Sequence, residues 1–452
     1  MVDRSRLPLL GPDPSFRFPE IGRRRLSNGL QVLTVEHHAV PLVSFLALLP
    51  AGAATDPTER PGLAAVTSDM LDEGCGDLDA IELHESLGRI GGHLDSEIGS
   101  DATILTLTSL ARFADRGVAL LADMVRRPRL EAADFQRVRE LRLNRLVQLR
   151  DMAPALADRA FTELVYRDHP YGHQPIGTEA SLRAMSLDEV AGHHRAMFVP
   201  SRFTVVASGD AAHEALGDLV EAAFGDWQGT AAPASLPDPS RLPPPTERLA
   251  LLHRPGASQS ELRIGHVALP RSTPDYHALL VLNMILGGQF VSRINMNLRE
   301  DKGYTYGART SFDFRRGPGP FLLQASVQSD ATAAAVIEAM HELRGVRGDR
   351  PVTRPELEMG RAALTRGYPR SFETAEQISR GAAQLALHGL SDDHFSTFVP
   401  KVLAVDEAEV MRVAATHIDP ARLLTVIVGD RDTVGPTLAR LELGPPTEIP
   451  SS

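Results

Sequence analysis

Two side chains suited to holding a peptide oxygen, Arg299 and Tyr306, stand seven residues apart in the second half of the chain. An arginine presents a planar fork of N–H donors, and a tyrosine hydroxyl adds one more donor. Such donors stabilise the negative charge that develops on a carbonyl oxygen when a peptide bond is attacked. The pair therefore indicates substrate holding and oxyanion stabilisation, and it supplies no nucleophile.

The segment that must position this pair runs from 286 to 307 and reads LGGQFVSRINMNLREDKGYTYG. Its apolar residues recur every four positions, which predicts one buried face of a helix. The residues of that face are Leu286, Phe290, Ile294 and Leu298, with Val291 beside them. A helix in this register places Arg299 in its last turn.

The turn after this helix is predicted at Lys302 and Gly303. A cation in the last turn suits the helix dipole, and glycine tolerates the left-handed conformation of a helix cap. Tyr304 and Tyr306 then begin a strand. We expect Arg299 and Tyr306 to face one cleft across this turn. Tyr304 has the same strand parity as Tyr306 and remains an alternative donor.

A glycine pair, a helix that ends in Leu-Arg-Glu and the sequence Lys-Gly-Tyr-Thr-Tyr follow one another here. This order resembles the C-terminal signature of the pitrilysin and mitochondrial-processing-peptidase family, the inverzincin zinc peptidases. The resemblance implies that Arg299 and Tyr306 act as substrate-binding and catalytic residues. A purely architectural role, in which Arg299 pairs with an acid and Tyr306 packs, is the alternative interpretation.

The chain also contains an internal repeat. Segments 187–210 and 405–430 share Asp-Glu, a helical run, a proline, an apolar strand and a closing Gly-Asp, and the closing pairs are 220 residues apart. A period of this length predicts duplicated domains rather than a solenoid. The proline-rich stretch 231–245 predicts a stiff linker. We therefore predict an N-terminal domain over 1–230, a C-terminal domain over 246–452 and a ligand cleft between them.

Within each half, strands alternate with helices but also follow one another directly. This mixture predicts an α+β fold, in which helices pack on a mostly antiparallel sheet, rather than a doubly wound parallel sheet. The resemblance implies the same architecture, two homologous α+β halves that enclose a cleft.

The resemblance further implies an inverted zinc motif, H-x-x-E-H, on a helix of the first half, and a distal glutamate ligand on a later helix. A helix is still predicted at the position of the zinc motif, because the apolar residues of its buried face are present. However, Ala65 and Asp69 stand where the histidines belong, and Ser68 stands where the glutamate belongs. Asn144 and Arg145 fall where the distal glutamate is expected. We therefore predict no metal site and no cofactor in this chain.

Other catalytic chemistries find no support in the sequence. Asp69, Asp72 and Glu73 are typical of a solvated helix end, since hard cations need more oxygen ligands. Cys75 has no candidate base beside it, and the chain contains no Gly-x-Ser-x-Gly motif. The histidine-rich loop at 168–178 is interpreted as solvated rather than as a metal site.

Bulk properties narrow the partners. The 452 residues carry a formal net charge of −11, which argues against nucleic acid or an anionic membrane as the main partner. No apolar run reaches the length of a membrane span, and a single cysteine excludes an internal disulfide. The N-terminus does not read as a signal peptide, so we predict a cytoplasmic protein, or a periplasmic one if a leader was removed.

The substrate-holding residues of the family are thus present and the metal ligands are missing. This asymmetry predicts a zinc-free, non-catalytic subunit that is inactive alone. It would pair with a homologous zinc-bearing subunit, as a heterodimer or heterotetramer, and orient peptide substrates through Arg299 and Tyr306. A structural or assembly subunit of the same fold, with no peptidase role, is the alternative. A stand-alone peptidase with unusual ligands is the least favoured interpretation.

Overall fold

The computed structural model describes residues 16–229 and 247–450. The predicted linker at 231–245 lies outside the described residues, and the domain limits at 230 and 246 stay predictions. Within the described ranges, no helix is both long enough and apolar enough to cross a lipid bilayer.

The chain forms two large sheets, with a small hairpin in the first half. The strands are β1 (Gly22–Arg25), β2 (Gln31–Glu36), β3 (Leu42–Leu49), β4 (Gly74–Cys75), β5 (Leu78–Asp79), β6 (His93–Ile98), β7 (Thr103–Leu110), β8 (Thr204–Gly209), β9 (Leu249–His253), β10 (Gln259–Val267), β11 (Thr305–Phe312), β12 (Pro320–Gln328), β13 (Leu424–Gly429) and β14 (Thr447–Ile449).

Helices cover both sheets. They are α1 (Leu63–Asp69), α2 (Ala80–Arg89), α3 (Ala114–Arg126), α4 (Ala132–Arg150), α5 (Ala153–Tyr166), α6 (Glu179–Ala184), α7 (Leu187–Met197), α8 (His213–Phe224), α9 (Tyr276–Leu286), α10 (Arg293–Asn295), α11 (Thr332–Gly345), α12 (Arg354–Thr365), α13 (Ala375–His388), α14 (Phe398–Ala404), α15 (Glu407–His417) and α16 (Arg431–Leu438). A π-helical turn over Met296–Asp301 continues α10.

Five of the six strands in each sheet follow the same topology, and the outer strands differ, because β1 is antiparallel to β2 whereas β14 is parallel to β9. The first has the order β1-β2-β8-β3-β7-β6 and the second the order β11-β12-β10-β13-β9-β14. In the first sheet β2 runs parallel to β8, and the β8–β3, β3–β7 and β7–β6 pairs are antiparallel. In the second, β9 runs parallel to β13, and the β13–β10, β10–β12 and β12–β11 pairs are antiparallel. The predicted duplication and mostly antiparallel α+β class are therefore confirmed.

The repeat seen in the sequence maps onto equivalent strands. Thr204 begins β8 and Leu424 begins β13, which reproduces the offset of 220 residues. Every residue of both strands is buried. A strand at the centre of a sheet has no exposed face when both sides are covered, which explains the continuous apolar runs.

One face of each sheet is covered by a helix from the other half of the chain. Helix α5 packs on β10 and β13, and helix α13 packs on β3 and β8. Phe161 of α5 lies against β10 at Gly265, where an added Cβ would stand 2.9 Å from the phenyl Cζ. Ile378 of α13 is fully buried against Leu46 of β3 and its neighbours. The two halves therefore share their hydrophobic cores.

A cavity of about 380 Å³ lies between the halves. Its lining includes Asp101 and Ile104 from the first half and Arg315 and His388 from the second. Burial, reinforced by Arg271, lowers the pKa of His388 to about 4, so its ring is neutral at physiological pH.

Candidate functional site

The predicted signature helix is interrupted. Helix α9 ends at Leu286, and helical structure resumes only at Arg293. Ile294 and Leu298 are fully buried, as expected, but Phe290 is 60% exposed and Val291 46% exposed. The prediction of one continuous apolar face was therefore wrong at these two positions, because the helical period does not continue across a break.

At this break Gly287 approaches the sheet closely. A Cβ at Gly287 would lie 2.5 Å from the backbone nitrogen of Thr310 in β11. The Gly287 carbonyl accepts a hydrogen bond from that nitrogen at 3.1 Å. Asn295 adds a second link, because its Oδ1 accepts from the Ala308 nitrogen at 3.0 Å and its Nδ2 donates to the Phe290 carbonyl at 2.6 Å. The signature segment thus lies along the edge strand of the second sheet.

Arg293 fixes the start of the resumed helix. Its guanidinium forms a two-point ion pair with Glu356 of α12, with Nε–Oε1 at 2.6 Å and Nη2–Oε2 at 2.8 Å. It also donates to the carbonyls of Arg350 and Pro351. Burial alone would raise the pKa of Glu356, but hydrogen bonds from Arg293 and Thr353 lower it to about 2.

Arg299 lies in the π-helical turn, near its end as predicted. The guanidinium carbon stands 4.1 Å from the ring centroid of Phe290, a cation–π contact. Its Nη1 is 3.3 Å from Glu300 Oε1, yet this nitrogen is buried and makes no hydrogen bond within the described part of the chain. The exposed Phe290 ring is therefore a neighbour of Arg299 that the sequence pattern missed.

Tyr306 lies beyond the predicted turn, where Gly303 has a φ of +66°. The pairing of β11 with β12 shifts register between Thr305 and Ala308, a β-bulge. At this bulge the Tyr306 side chain is 91% exposed. Tyr304 by contrast is partly buried against the core of the second half. Because Tyr304 is partly buried, the Tyr306 side chain is the more accessible of the two. The choice between the two hydroxyl donors stays a prediction.

Arg299 and Tyr306 make no hydrogen bond to each other in the described residues, and they lie on either side of the turn. A cavity of about 390 Å³ adjoins the bulge and is lined by Gly307, Arg309 and Pro154 of the first half. Three other exposed apolar side chains lie on the same segment, Phe290, Val291 and Met296. Neither Arg299 nor Tyr306 lines this cavity, so the single cleft expected for the pair stays a prediction.

The predicted remnant of the metal motif lies on α1. Ala65 is completely buried and offers no donor atom. The Ser68 hydroxyl is hydrogen-bonded to the Ser96 hydroxyl of β6 at 3.0 Å. The Asp69 carboxylate pairs with Arg142 of α4, with Nε–Oδ2 at 2.5 Å. The residues at the three motif positions are therefore used in packing, a hydrogen bond and an ion pair.

The α4 residue that pairs with the Asp69 motif position is Arg142, not Asn144 or Arg145. Both of the predicted distal positions are exposed, and Arg145 contacts Gln148 on its own helix. The Arg142 side chain is largely buried, and its Nη1 donates to the Pro175 carbonyl at 3.3 Å. Arg142 was missed because helical phase around α4 depends on its packing, which spacing alone does not give.

These residues do not fit a zinc ion. Zinc needs three or four nitrogen, sulfur or carboxylate ligands in tetrahedral array, whereas here one carboxylate is already neutralised by a guanidinium. Among residues 16–229 and 247–450, no group of three or more His, Cys, Asp or Glu side chains is arranged to hold a metal ion. Burial and the neighbouring carboxylates raise the pKa of Asp72 to about 6, and burial raises the pKa of Cys75 to about 12. A thiol so hard to ionise is unsuited to nucleophilic attack.

Two family models identify the chain as a member of the M16 peptidases. The insulinase (peptidase family M16) model matches residues 31–179, and the model for the peptidase M16 inactive domain matches residues 184–364. The chain belongs to this family, which confirms the resemblance drawn from the signature segment. The inactive-domain match includes both Arg299 and Tyr306.

Relatives of this chain include zinc proteases and a processing peptidase. An uncharacterized zinc protease of Mycobacterium tuberculosis is 26% identical over 79% of this chain and 82% of its own length. One from Bacillus subtilis is 23% identical over 82% and 89%. The mitochondrial-processing peptidase subunit beta of Lentinula edodes is 23% identical over 62% and 59%.

Two solved structures share the fold. The peptidase M16 inactive domain from Pseudomonas fluorescens has a TM-score of 0.82 at 20% identity and covers 91% of this chain and 98% of that one. A protease from Helicobacter pylori has a TM-score of 0.84 at 19% identity, with coverages of 91% and 100%.

Proposed function

We propose that this chain is the zinc-free, non-catalytic subunit of a heterodimeric zinc metallopeptidase. One observation carries the proposal. Phe290 and Tyr306 of the signature segment are exposed, while the three motif positions on α1 are occupied by packing, a hydrogen bond and the Asp69–Arg142 ion pair. The Phe290 ring, which is 60% exposed, lies on the Arg299 guanidinium and provides an apolar surface beside it.

In this proposal the partner is a homologous subunit that carries H-x-x-E-H, and the attacking water is activated there. The present chain contributes binding. An extended peptide lies along the edge of the second sheet, Arg299 holds a peptide carbonyl, and the Tyr306 hydroxyl donates to the oxygen on which charge develops. The buried Arg299 Nη1 without a hydrogen-bond partner supports this role, because a peptide oxygen would satisfy it.

Co-expression with the zinc-bearing subunit tests the proposal. The complex should cleave an unstructured peptide, and neither chain alone should do so. Tyr306→Phe in the complex should lower kcat about 10²–10³-fold, since that is the typical effect of removing one oxyanion donor. Tyr304→Phe is the matched control and should leave kcat within a few fold. Zinc content and subunit association should not change in either variant.

The opposite result has a definite meaning. If Arg299→Ala and both tyrosine variants keep near-normal turnover in an intact complex, the signature segment is architectural. The chain would then be an assembly subunit of the same fold. If no complex forms at micromolar concentration, the heterodimer itself is excluded.

A further inference from the structure

A further cavity lies in the C-terminal half and shares no lining residue with the signature segment. This cavity, the Arg271 pocket, has a volume of about 420 Å³. It lies between the loop before α9, the first turn of α9 and the region of α14. The lining residues used here are Arg271, Tyr276, His277, His394, Lys401 and Glu409.

The pocket contains a buried guanidinium that has no carboxylate partner. Arg271 is 9% exposed, and within the described residues no Asp or Glu oxygen lies within 4 Å of it. Its Nη2 donates to His394 Nε2 at 2.8 Å, and its guanidinium carbon stands 3.5 Å from the ring centroid of Tyr276. A neutral imidazole and an aromatic face compensate a buried cation only in part, because neither carries a full negative charge.

The neighbouring groups add positive potential and a free polar atom. Lys401 of α14 also lines the pocket. His277 Nε2 is buried and has no hydrogen-bond partner in the described part of the chain. Burial, together with Arg271 and Lys401, lowers the pKa of His277 and of His394 to about 4. Both rings are therefore neutral near pH 7, and each can still donate one N–H.

The acidic residues nearby are engaged elsewhere. Glu409 lines the pocket but lies 3.5 Å from Arg412. Asp275 pairs with the same arginine at 2.6 Å and with His417 at 2.6 Å. No internal carboxylate therefore neutralises Arg271.

We propose that the Arg271 pocket binds a small oxyanion, a carboxylate or a phosphate, between the Arg271 guanidinium, the Lys401 ammonium and the free nitrogen of His277. An arginine fork matches two oxygens of either group, and a lysine adds a point charge. The bound anion would satisfy both the uncompensated guanidinium and the orphan imidazole nitrogen. This site is independent of the proposed peptidase role, since it shares no residue with the signature segment.

Titration calorimetry at low ionic strength tests the proposal on the full chain, with inorganic phosphate in one arm and succinate in the other. At least one anion should bind in the millimolar range or tighter, and the stronger arm identifies the oxyanion class. Lys401→Gln should weaken that binding about tenfold or more, because a charge-assisted hydrogen bond is lost. The matched control is Lys302→Gln, which alters the other lysine of the chain and should leave the affinity unchanged.

Arg271→Gln should abolish binding, but it also changes a buried side chain, so the exposed Lys401 is the decisive position. Binding should additionally shift the imidazole nitrogen resonances of His277 in a histidine-labelled sample. If neither anion releases heat or shifts these resonances, the pocket is not an oxyanion site. If Lys401→Gln and Lys302→Gln weaken anion binding equally, the proposal is also overturned. Such a result would show only non-specific electrostatic attraction of the anion to the protein.

Discussion

The Asp69–Arg142 pair decides what the first half of this molecule can do. A guanidinium cannot be deprotonated at any physiological pH, so it is a permanent cation at this place. It joins α1 to α4 through the Asp69 carboxylate, with Nε–Oδ2 at 2.5 Å. The loss of metal ligands is therefore accompanied by a guanidinium that occupies the one carboxylate at the motif positions.

This arrangement predicts how the metal motif can be restored. Ala65→His, Ser68→Glu and Asp69→His together should still give far less than one zinc per chain, because Arg142 remains and a third ligand is missing. Adding Arg142→Glu removes the cation and supplies a carboxylate facing α1, so zinc content should approach about one per chain. Elemental analysis after dialysis measures this, with circular dichroism to confirm folding.

The matched control places the new glutamate at the exposed Arg145 instead. Zinc binding in the Arg145→Glu quadruple variant should stay as low as in the triple variant. Stoichiometric zinc in the triple variant alone would contradict the role given to Arg142.

At this scale the sequence predicted the residue types but not all of their surroundings. Ala65, Ser68 and Asp69 were identified by alignment to a motif, which needs only chain position. Arg142 and the Phe290–Arg299 stacking contact were missed, since both depend on how two helical segments rotate against each other. The exposure of Tyr306 depends on a β-bulge in β11. The sequence of the first residues of this strand does not indicate a bulge.

The signature segment is held at the scale of elements by α12 and β11. Its predicted end at Gly303 is confirmed, but its helix is short and begins only at Arg293. The four-residue spacing of apolar side chains in the sequence continues across Gly287 and Gly288, which is why one continuous helix was predicted. The close approach of Gly287 to Thr310 explains why the helix stops there. What anchors the restart is the ion pair from Arg293 to Glu356.

Glu356→Gln should therefore destabilise the protein by about 2–4 kcal/mol at pH 7, since it breaks a mostly buried ion pair. The pKa of Glu356 is lowered to about 2 from an ordinary value of 4.5. Its stabilising contribution is thus complete above pH 4.5 and is lost as the pH falls from about 4.5 toward 2. Urea unfolding at pH 7 and pH 3 should show a variant–wild-type difference that shrinks at the lower pH.

Glu358→Gln on the same helix is the control for this measurement. Glu358 pairs with Arg354, but both side chains are well exposed. An exposed pair of this kind contributes about 0.5 kcal/mol or less. A loss as small in Glu356→Gln would show that the Arg293 anchor does not stabilise the segment.

The whole molecule repeats one five-strand topology in its two sheets, and each sheet is covered by a helix from the other half of the chain. The sequence predicted the duplication from the repeat at 187–210 and 405–430, because equivalent strands keep equivalent residues. It did not predict that α5 covers β10 and β13 or that α13 covers β3 and β8. Those contacts join residues far apart in the chain, and an amphipathic helix does not specify which sheet it covers.

This coverage of each sheet by the other half predicts that the two halves cannot be separated under native conditions. A site-specific protease sequence inserted between residues 230 and 246 should allow the chain to be cut once. The two pieces should still elute together in gel filtration, because separating them would expose the buried Phe161, Tyr166 and Ile378 to water. The ion pair from Arg263 of β10 to Asp158 of α5, at 2.5 Å, would be broken as well.

The pieces should separate only at denaturant concentrations that also remove the circular-dichroism signal of both. Two folded pieces that elute apart at micromolar concentration would show that each half completes its own core without the borrowed helix.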